Sequence, residues 1–291
     1  MDHDKGFRKI VLATDGSPEA ESAVDETIGL ARLTPATVRV LHIWNLEVHH
    51  RRGFWDVELR TQAEQLVQAT ADRLIKAGVM AETEVYHADN SYVPQAIAAV
   101  TREWGADLVV IGSRGLSDWQ SLTRHSVSHK VLAEVDCPVL VVRSRGQHGS
   151  VAPARKILLA VAGGDDVGPA VRAAIAAAQT AGAAVMVLHV AQTMFWPQGF
   201  AYVEGEEEIA KTVESALSML GKAGIPAESM VIRTGPAARG IADVATGWNA
   251  DLIVIGSSRM GDMAGLLLGS VSHELIHNTD VPVLIAERIK S

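Results

Sequence analysis

Residues 9–44 read KIVLATDGSPEAESAVDETIGLARLTPATVRVLHIW, and residues 156–191 read KILLAVAGGDDVGPAVRAAIAAAQTAGAAVMVLHVA. Without gaps, 14 of these 36 positions are identical. A second pair of segments, 105–145 and 249–289, is identical at 17 of 41 positions, including ADLxVIGS and SVSH. The offsets of 147 and 144 residues correspond to a whole domain rather than to a solenoid repeat. The chain is therefore predicted to contain one domain twice.

Each copy alternates short apolar runs with stretches of helical periodicity. In the first copy, strands are predicted at Ile10–Thr14, Val38–Ile43, Glu82–His87, Leu108–Ile111 and Val139–Val142. Helices are predicted between them at Pro18–Leu33, Val57–Ala77, Pro94–Trp104 and Ser126–Val135. The second copy repeats the pattern, with strands near 156–161, 185–190, 229–233, 252–255 and 283–286, and helices near 166–181, 204–223, 236–247 and 270–278. Apolar strands alternating with helices predict an α/β fold with a parallel sheet covered on both faces.

The segment between the copies, SRGQHGSVAPA at residues 144–154, is rich in Gly, Ser and Pro. Such a composition is typical of a linker. We expect domain 1 to span residues 1–144, the linker 145–154 and domain 2 155–291.

Composition limits the classes of partner. The 291 residues carry a formal net charge of −8, which argues against a nucleic-acid surface. The start of the chain lacks an apolar signal region. The sequence also contains no run of about 18 apolar residues, which a membrane span would need. One cysteine fits a reducing compartment. The expected location is the cytoplasm.

The predicted sheet places two chemically distinctive segments at its carboxyl edge, where open parallel sheets bind ligands. Asp15 follows the first strand, and Gly112 to Gly115 follow the fourth strand ahead of a helix that starts near Ser126. Glycines and free helix-start amides suit a phosphate, and a carboxylate suits sugar hydroxyls. A simple tight turn at Gly112–Gly115 is an open alternative.

These residues resemble the nucleotide-binding motif of the universal stress protein family, and the likeness extends over both copies. The family's motif is Gly-x2-Gly-x9-Gly-(Ser/Thr) after the fourth strand, with Asp after the first. In the first copy Asp15, Gly112, Gly115 and Ser126 match, whereas His125 stands in place of the third glycine.

The second copy departs from the motif at other positions. Gly256, Gly269 and Ser270 match, but Arg259 replaces the middle glycine and Ala162 replaces the aspartate. Losing the aspartate predicts a weaker second site, formed by Gly256, Arg259, Gly269 and Ser270.

The resemblance implies an architecture. A tandem universal stress protein has two Rossmann-like domains, each a five-stranded parallel sheet with helices on both faces and strand order 3-2-1-4-5. The last strands of the two domains pair within one chain, so the halves form a pseudo-dimer. Further homodimerisation and the identity of protein partners stay open.

The resemblance also implies the roles of individual residues in the first domain. Adenine would lie against Ala13, Thr14 and the backbone around Ile43, and Asp15 would bind the ribose. Phosphate would contact the loop and helix start at Gly112, Arg114, Gly115, Ser126 and Val127. His125 either obstructs the phosphate cradle or, when protonated, donates to phosphate. Arg259 is similarly ambiguous, because arginine is a good phosphate partner.

Other chemical interpretations have less support. His42, His49 and His50 lie close in sequence, but no Cys or carboxylate set completes a known metal spacing. Ser126 and His129 lack the facing base and third group that a nucleophile needs. Neither GxxxxGK(S/T) nor GxGxxG occurs. We therefore assign no catalytic and no metal-binding residues.

Three functions follow, in descending order. The first is a stress-response protein that binds an adenine nucleotide, most of all ATP, with or without Mg²⁺, mainly in domain 1, and acts as a nucleotide-dependent regulator or sensor. The second is a scaffold or interaction protein with degenerate pockets. The third is a slow ATPase.

The apolar segments 53–55 and 194–200, which follow the second strand of each copy, are interpreted as lids, oligomer contacts or local plugs.

Overall fold

The computed structural model of the chain describes residues 6–45, 55–88, 92–113, 127–143, 153–163, 167–191, 193–196, 199–202, 204–233, 235–256 and 270–286. They form two compact units: Phe7–Pro153 is the first, and the second begins at Ala154 and also includes Gly6. Each unit is α/β, as the alternating pattern predicts.

The first unit contains, in chain order, β1 (Lys9–Ala13), α1 (Pro18–Ala31), β2 (Thr37–Asn45), α2 (Trp55–Lys76), β3 (Met80–Ala88), α3 (Val93–Trp104), β4 (Leu108–Ser113), α4 (Val127–Glu134) and β5 (Val139–Arg143). Its strands lie in the order β3-β2-β1-β4-β5, and every neighbouring pair is parallel. The predicted order 3-2-1-4-5 is confirmed.

The second unit contains β6 (Lys156–Val161), α5 (Gly168–Ala181), β7 (Ala184–Val190), β8 (Thr193–Trp196), β9 (Gly199–Tyr202), α6 (Glu206–Lys222), β10 (Ala227–Ile232), α7 (Ala237–Trp248), β11 (Leu252–Ile255), α8 (Ser270–Asn278) and β12 (Val283–Ile285). Its five parallel strands lie in the order β10-β7-β6-β11-β12, which repeats the order of the first unit.

Helices cover both faces of the first sheet. Helices α1 and α2 contact each other, and α3 and α4 contact each other, so each face carries one pair. The central strands between them are apolar along their length: Ile10, Val11 and Leu12 of β1 are fully buried, as are the first residues of β4. Burial on both faces is why these strands have a continuous apolar pattern rather than an alternating one.

Helix α1 begins where the sequence predicts. The hydroxyl of Ser17 accepts a hydrogen bond from the amide of Ala20 at 3.3 Å, and Pro18 occupies the first turn. The helix ends at Ala31 rather than at Leu33, whose side chain is 54% exposed and contributes little to the core. Gly78, after α2, has φ +84°, a left-handed conformation that favours glycine at the end of a helix.

The same clamp holds the first strand of both units at the amino end of the sheet. In the first unit, the carboxylate of Asp107 accepts the amides of Arg8 and Lys9 at 2.8 and 3.0 Å. In the second unit, Asp251 accepts those of Arg155 and Lys156 at 2.8 and 2.9 Å. The Lys9 ammonium also donates to the carbonyl of Trp104, and the Lys156 ammonium to that of Trp248.

The segment after β7 differs from expectation. Strands β8 and β9 pair antiparallel, with Phe195 opposite Phe200 and Trp196 opposite Gly199. From the sequence, residues 194–200 are expected to form a lid, an oligomer contact or a local plug, and no strand is predicted there. In the part of the chain that the structure describes, no helix is long and apolar enough to cross a membrane.

Candidate functional site

The candidate site lies where β1 and β4 end side by side. Ala13 pairs with Ile111 on one side and with Leu41 of β2 on the other. The chain winds from β1 towards β3 in one direction, and β4 and β5 lie in the opposite direction. The end of β1 is therefore at the topological switch point, where α/β sheets form ligand crevices.

Thr14 fixes the backbone at this point. It is buried, and its amide donates to the carbonyl of Leu41 at 2.9 Å. Its own carbonyl lies 2.8 Å from Nδ1 of His42. Because a carbonyl oxygen only accepts, Nδ1 carries the proton in this contact. His42 thus ties the second strand to the backbone after the first.

Asp15 comes directly after Thr14 and is exposed to solvent. One carboxylate oxygen accepts the amide of Ser17 at 3.0 Å, which orients the side chain in a local turn. Ile43 lies on β2 beyond the residue that pairs with Ala13 and is half-buried. Ala13, Thr14, Asp15 and Ile43 therefore meet at one end of adjacent strands.

Gly112 is next to this group and is required by packing. A Cβ atom on it would lie 2.6 Å from the backbone carbonyl carbon and oxygen of Glu19 and 2.8 Å from the amide nitrogen of Ala20. The first turn of α1 therefore presses directly on the end of β4. At Gly256, the equivalent glycine of the second unit, the nearest atom is Ala170 Cβ at 3.9 Å, an ordinary contact.

Part of the predicted motif lies outside the described residues: Arg114, Gly115, His125, Ser126, Arg259 and Gly269. Val127 and Ser270 are the first residues of α4 and α8, so both helices begin where the motif places a phosphate-binding helix start. The predicted roles of these residues stay predictions.

The equivalent edge of the second unit has different chemistry. Ala162 and Gly163 occupy the positions of Asp15 and Gly16. His189, the counterpart of His42, is fully buried, and its Nε2 lies 2.6 Å from a carboxylate oxygen of Glu204. Sequence alone predicts only a helix near 204–223 here and does not predict the Glu204–His189 contact. The structure places Glu206, Glu207 and Glu208 in the first turn of that helix, with Glu204 ahead of the capping Gly205.

The remaining histidines do not form a metal centre in the described ranges, where no group of three or more His, Cys, Asp or Glu side chains could hold an ion. His49 and His50 lie outside those ranges. On α8, burial lowers the pKa of His273 from its usual value, and the charge of Glu274 partly opposes the shift. The His273 and His277 rings are 4.9 Å apart.

Comparison with known proteins gives one consistent result. The model of the universal stress protein family matches residues 6–143 and again 153–287. Universal stress protein Rv2005c of Mycobacterium tuberculosis is 25% identical over 292 residues, covering 96% of this chain and 97% of that protein. Universal stress protein YxiE of Bacillus subtilis is 29% identical over 150 residues, covering 47% of this chain and 99% of its own length.

A solved structure shares the fold over the whole length. The crystal structure of a universal stress protein from Archaeoglobus fulgidus covers 96% of this chain and 98% of its own, with a TM-score of 0.74 and 20% identity. Some relatives thus match nearly the whole chain, and another matches about half of it over its own full length, as expected for a duplicated sequence.

Proposed function

The chain belongs to the universal stress protein family, and we propose on that basis that its first unit binds an adenine nucleotide, ATP by preference. Occupancy of the site would change the surface at the carboxyl edge of the sheet and so regulate a protein partner, without turnover of the nucleotide. The proposal is supported above all by one observation: Asp15 follows β1 and Gly112 lies at the end of β4, and these two strands are hydrogen-bonded neighbours at the switch point.

The roles divide along the crevice. The backbone at Ala13 and Thr14, with Ile43 opposite, offers a partly apolar surface for the base. The exposed Asp15 carboxylate is an acceptor for ribose hydroxyls, and its bond to the Ser17 amide holds it in place before a ligand arrives. The start of α4 supplies backbone donors and a positive dipole end for phosphate.

Asp15 provides the sharpest test. Asp15→Asn keeps an oxygen that accepts the Ser17 amide but removes the charge that strengthens a bond to the ribose. A hydrogen bond to a charged group contributes about 1.5–3 kcal/mol, so affinity should fall roughly tenfold to a hundredfold. Calorimetric titration of the full chain with ATP, ADP, AMP, cyclic AMP and adenosine, with and without Mg²⁺, would measure it.

Asp72→Asn on α2 is a matched control, because Asp72 is exposed and bonds only locally to Gln68 among the contacts that are described. It should leave every affinity unchanged. The proposal is wrong if the wild-type chain binds none of the five ligands. That result would favour the alternative, an interaction scaffold, to which the histidine in place of the third glycine already points. Phosphate release from ATP would instead support the slow ATPase.

A further inference from the structure

Two carboxylates lie against the turn that follows the first strand of the second unit. A Cβ atom on Gly163 would be 3.2 Å from Oε1 of Glu204 and 3.4 Å from Oε1 of Glu208. In the first unit, the same construction at Gly16 meets an apolar side chain, Leu66 Cδ1 at 3.2 Å. The equivalent points of the two units are thus covered by carboxylates in one and by a leucine in the other.

His189 holds one of these carboxylates in place. Its side chain is fully buried, while the Glu204 side chain is 15% exposed. An ionised carboxylate only accepts hydrogen bonds, so Nε2 of His189 carries the proton in the 2.6 Å contact. The homologous His42 is used differently, since its Nδ1 donates to the carbonyl of Thr14. The equivalent histidines therefore differ in partner: His42 bonds the backbone after β1, whereas His189 bonds the side chain of Glu204.

The helix behind Glu204 supports this arrangement. Glu204 and Glu208 flank the start of α6, where free amides and the helix dipole favour negative charge. Arg233 also pairs with Glu206 at 2.6 Å, which offsets part of the local charge. A carboxylate cluster is therefore tolerated at a point where the first unit has the apolar side chain of Leu66.

We propose that Glu204, held by His189 and flanked by Glu208, closes the second unit's crevice to nucleotides. By the repeat offset, Ala160, Val161 and Val190 correspond to Ala13, Thr14 and Ile43, the expected surface for the base. Glu204 lies against Gly163 and His189, which are close to these positions in the sequence, and there it would occupy ligand volume and repel phosphate. The inference rests on the proposed function, because it assigns one nucleotide site to each chain.

The competing role for Glu204 is to replace the missing aspartate. Ala162 stands at the Asp15 position, and a carboxylate from another segment could accept the ribose hydroxyls instead. The two roles predict opposite effects of removing Glu204. Removal opens a site if Glu204 is a plug and abolishes a site if it is a ribose acceptor.

The experiment counts ATP and AMP sites on the full-length chain by equilibrium dialysis. Glu204→Ala/Glu208→Ala should raise the number of sites by one, and the added site should be the weaker because Ala162 offers no acceptor. Glu204→Gln/Glu208→Gln keeps the volume and removes the charge, so it separates repulsion from blocking and also serves if the alanine variant fails to fold. Glu207→Ala, an exposed neighbour in the same turn, should add no site.

The outcomes separate the two proposals. Two sites in the wild-type chain, or no gain in any folded variant, would overturn the plug. A loss of one site on removing Glu204 would assign it to ribose binding instead. If the wild type binds nothing while the double variant binds one nucleotide, the plug stands and the proposed function of the first unit fails.

Discussion

Gly112 shows how a residue of a binding motif can be needed for packing before any ligand is considered. Gly112→Ala would place a methyl group 2.6 Å from the backbone of Glu19, which cannot rotate away. Overpacking of this kind costs about 1–3 kcal/mol, so the free energy of unfolding should fall by that amount. Urea unfolding of the full chain, resolved into its two units, would measure the loss.

The internal repeat provides the control for this substitution. Gly256→Ala meets its nearest neighbour at 3.9 Å, in a backbone conformation that alanine can adopt. It should leave stability unchanged or raise it by up to about 1 kcal/mol through the unfolded chain. Equal losses of unfolding free energy at the two positions would show that the close approach of α1 to β4 is not the reason that position 112 needs glycine.

His125 is the residue at which the first copy departs from the family motif. If its ring obstructs the phosphate cradle, His125→Gly should strengthen ATP binding and leave adenosine binding unchanged. If its imidazolium holds phosphate, the same change should weaken ATP binding, and the wild-type preference for ATP should decline as pH rises through about 6.5. We expect obstruction, because a side chain has been added where the motif has backbone alone. Equal affinities for ATP, AMP and adenosine in both proteins would exclude either role.

At the scale of single residues, some contacts in the structure could be predicted from the sequence and others could not. Asp15 and Gly112 could be found in the sequence because strand ends and glycines are local signals. The Glu204–His189 contact could not, because it joins residues on separate elements through a side-chain conformation. One clue existed: Ala162 lacks the carboxylate of Asp15, while His42 recurs as His189.

At the scale of elements, the parallel strands and their helices follow from periodicity, and most predicted ends agree within a few residues. The pair β8–β9 is not predicted, because neither TMFW nor GFAY alternates polar with apolar residues. The aromatic side chains there suggested a cover for the site. That role stays a prediction, as do the limits of the linker at 145–154.

Helix α8 contributes a pH-dependent term to stability. Burial lowers the pKa of His273 below its ordinary value of about 6.5, so the unfolded chain takes up a proton that the folded chain resists. As far as His273 is concerned, the free energy of unfolding is therefore highest above about pH 6.5, and it declines as the pH falls towards the pKa of the folded state. His273→Gln should reduce the drop in melting temperature between about pH 7.5 and 5.5. Parallel melting curves for the two proteins would contradict this assignment.

At the scale of the whole molecule, the family resemblance predicts that β5 and β12 lie antiparallel within one chain. An apolar edge strand left open invites aggregation, and a tandem chain would cover both edges at once. In a parallel edge strand, alternate amides point away from the sheet and exchange quickly. We expect those amides of Val139–Arg143 and Val283–Ile285 to be protected in hydrogen–deuterium exchange.

Concentration distinguishes the two possible partners of these strands. Pairing within one chain gives protection that does not change on dilution, whereas pairing between chains gives protection that is lost with the dimer. Rapid exchange at all concentrations would exclude both. Sedimentation at the same concentrations would report any further dimerisation of the tandem.

The Asp107 and Asp251 clamps lie at the amino ends of the strands, and both candidate crevices lie at the carboxyl ends. The interactions that fasten each first strand are thus a sheet's length away from the residues that would recognise a ligand. After a duplication, one end of the domain can keep its chemistry while the other acquires new residues without cost to assembly. Ligand specificity in such a chain can be lost, altered or divided between the copies while both halves continue to fold.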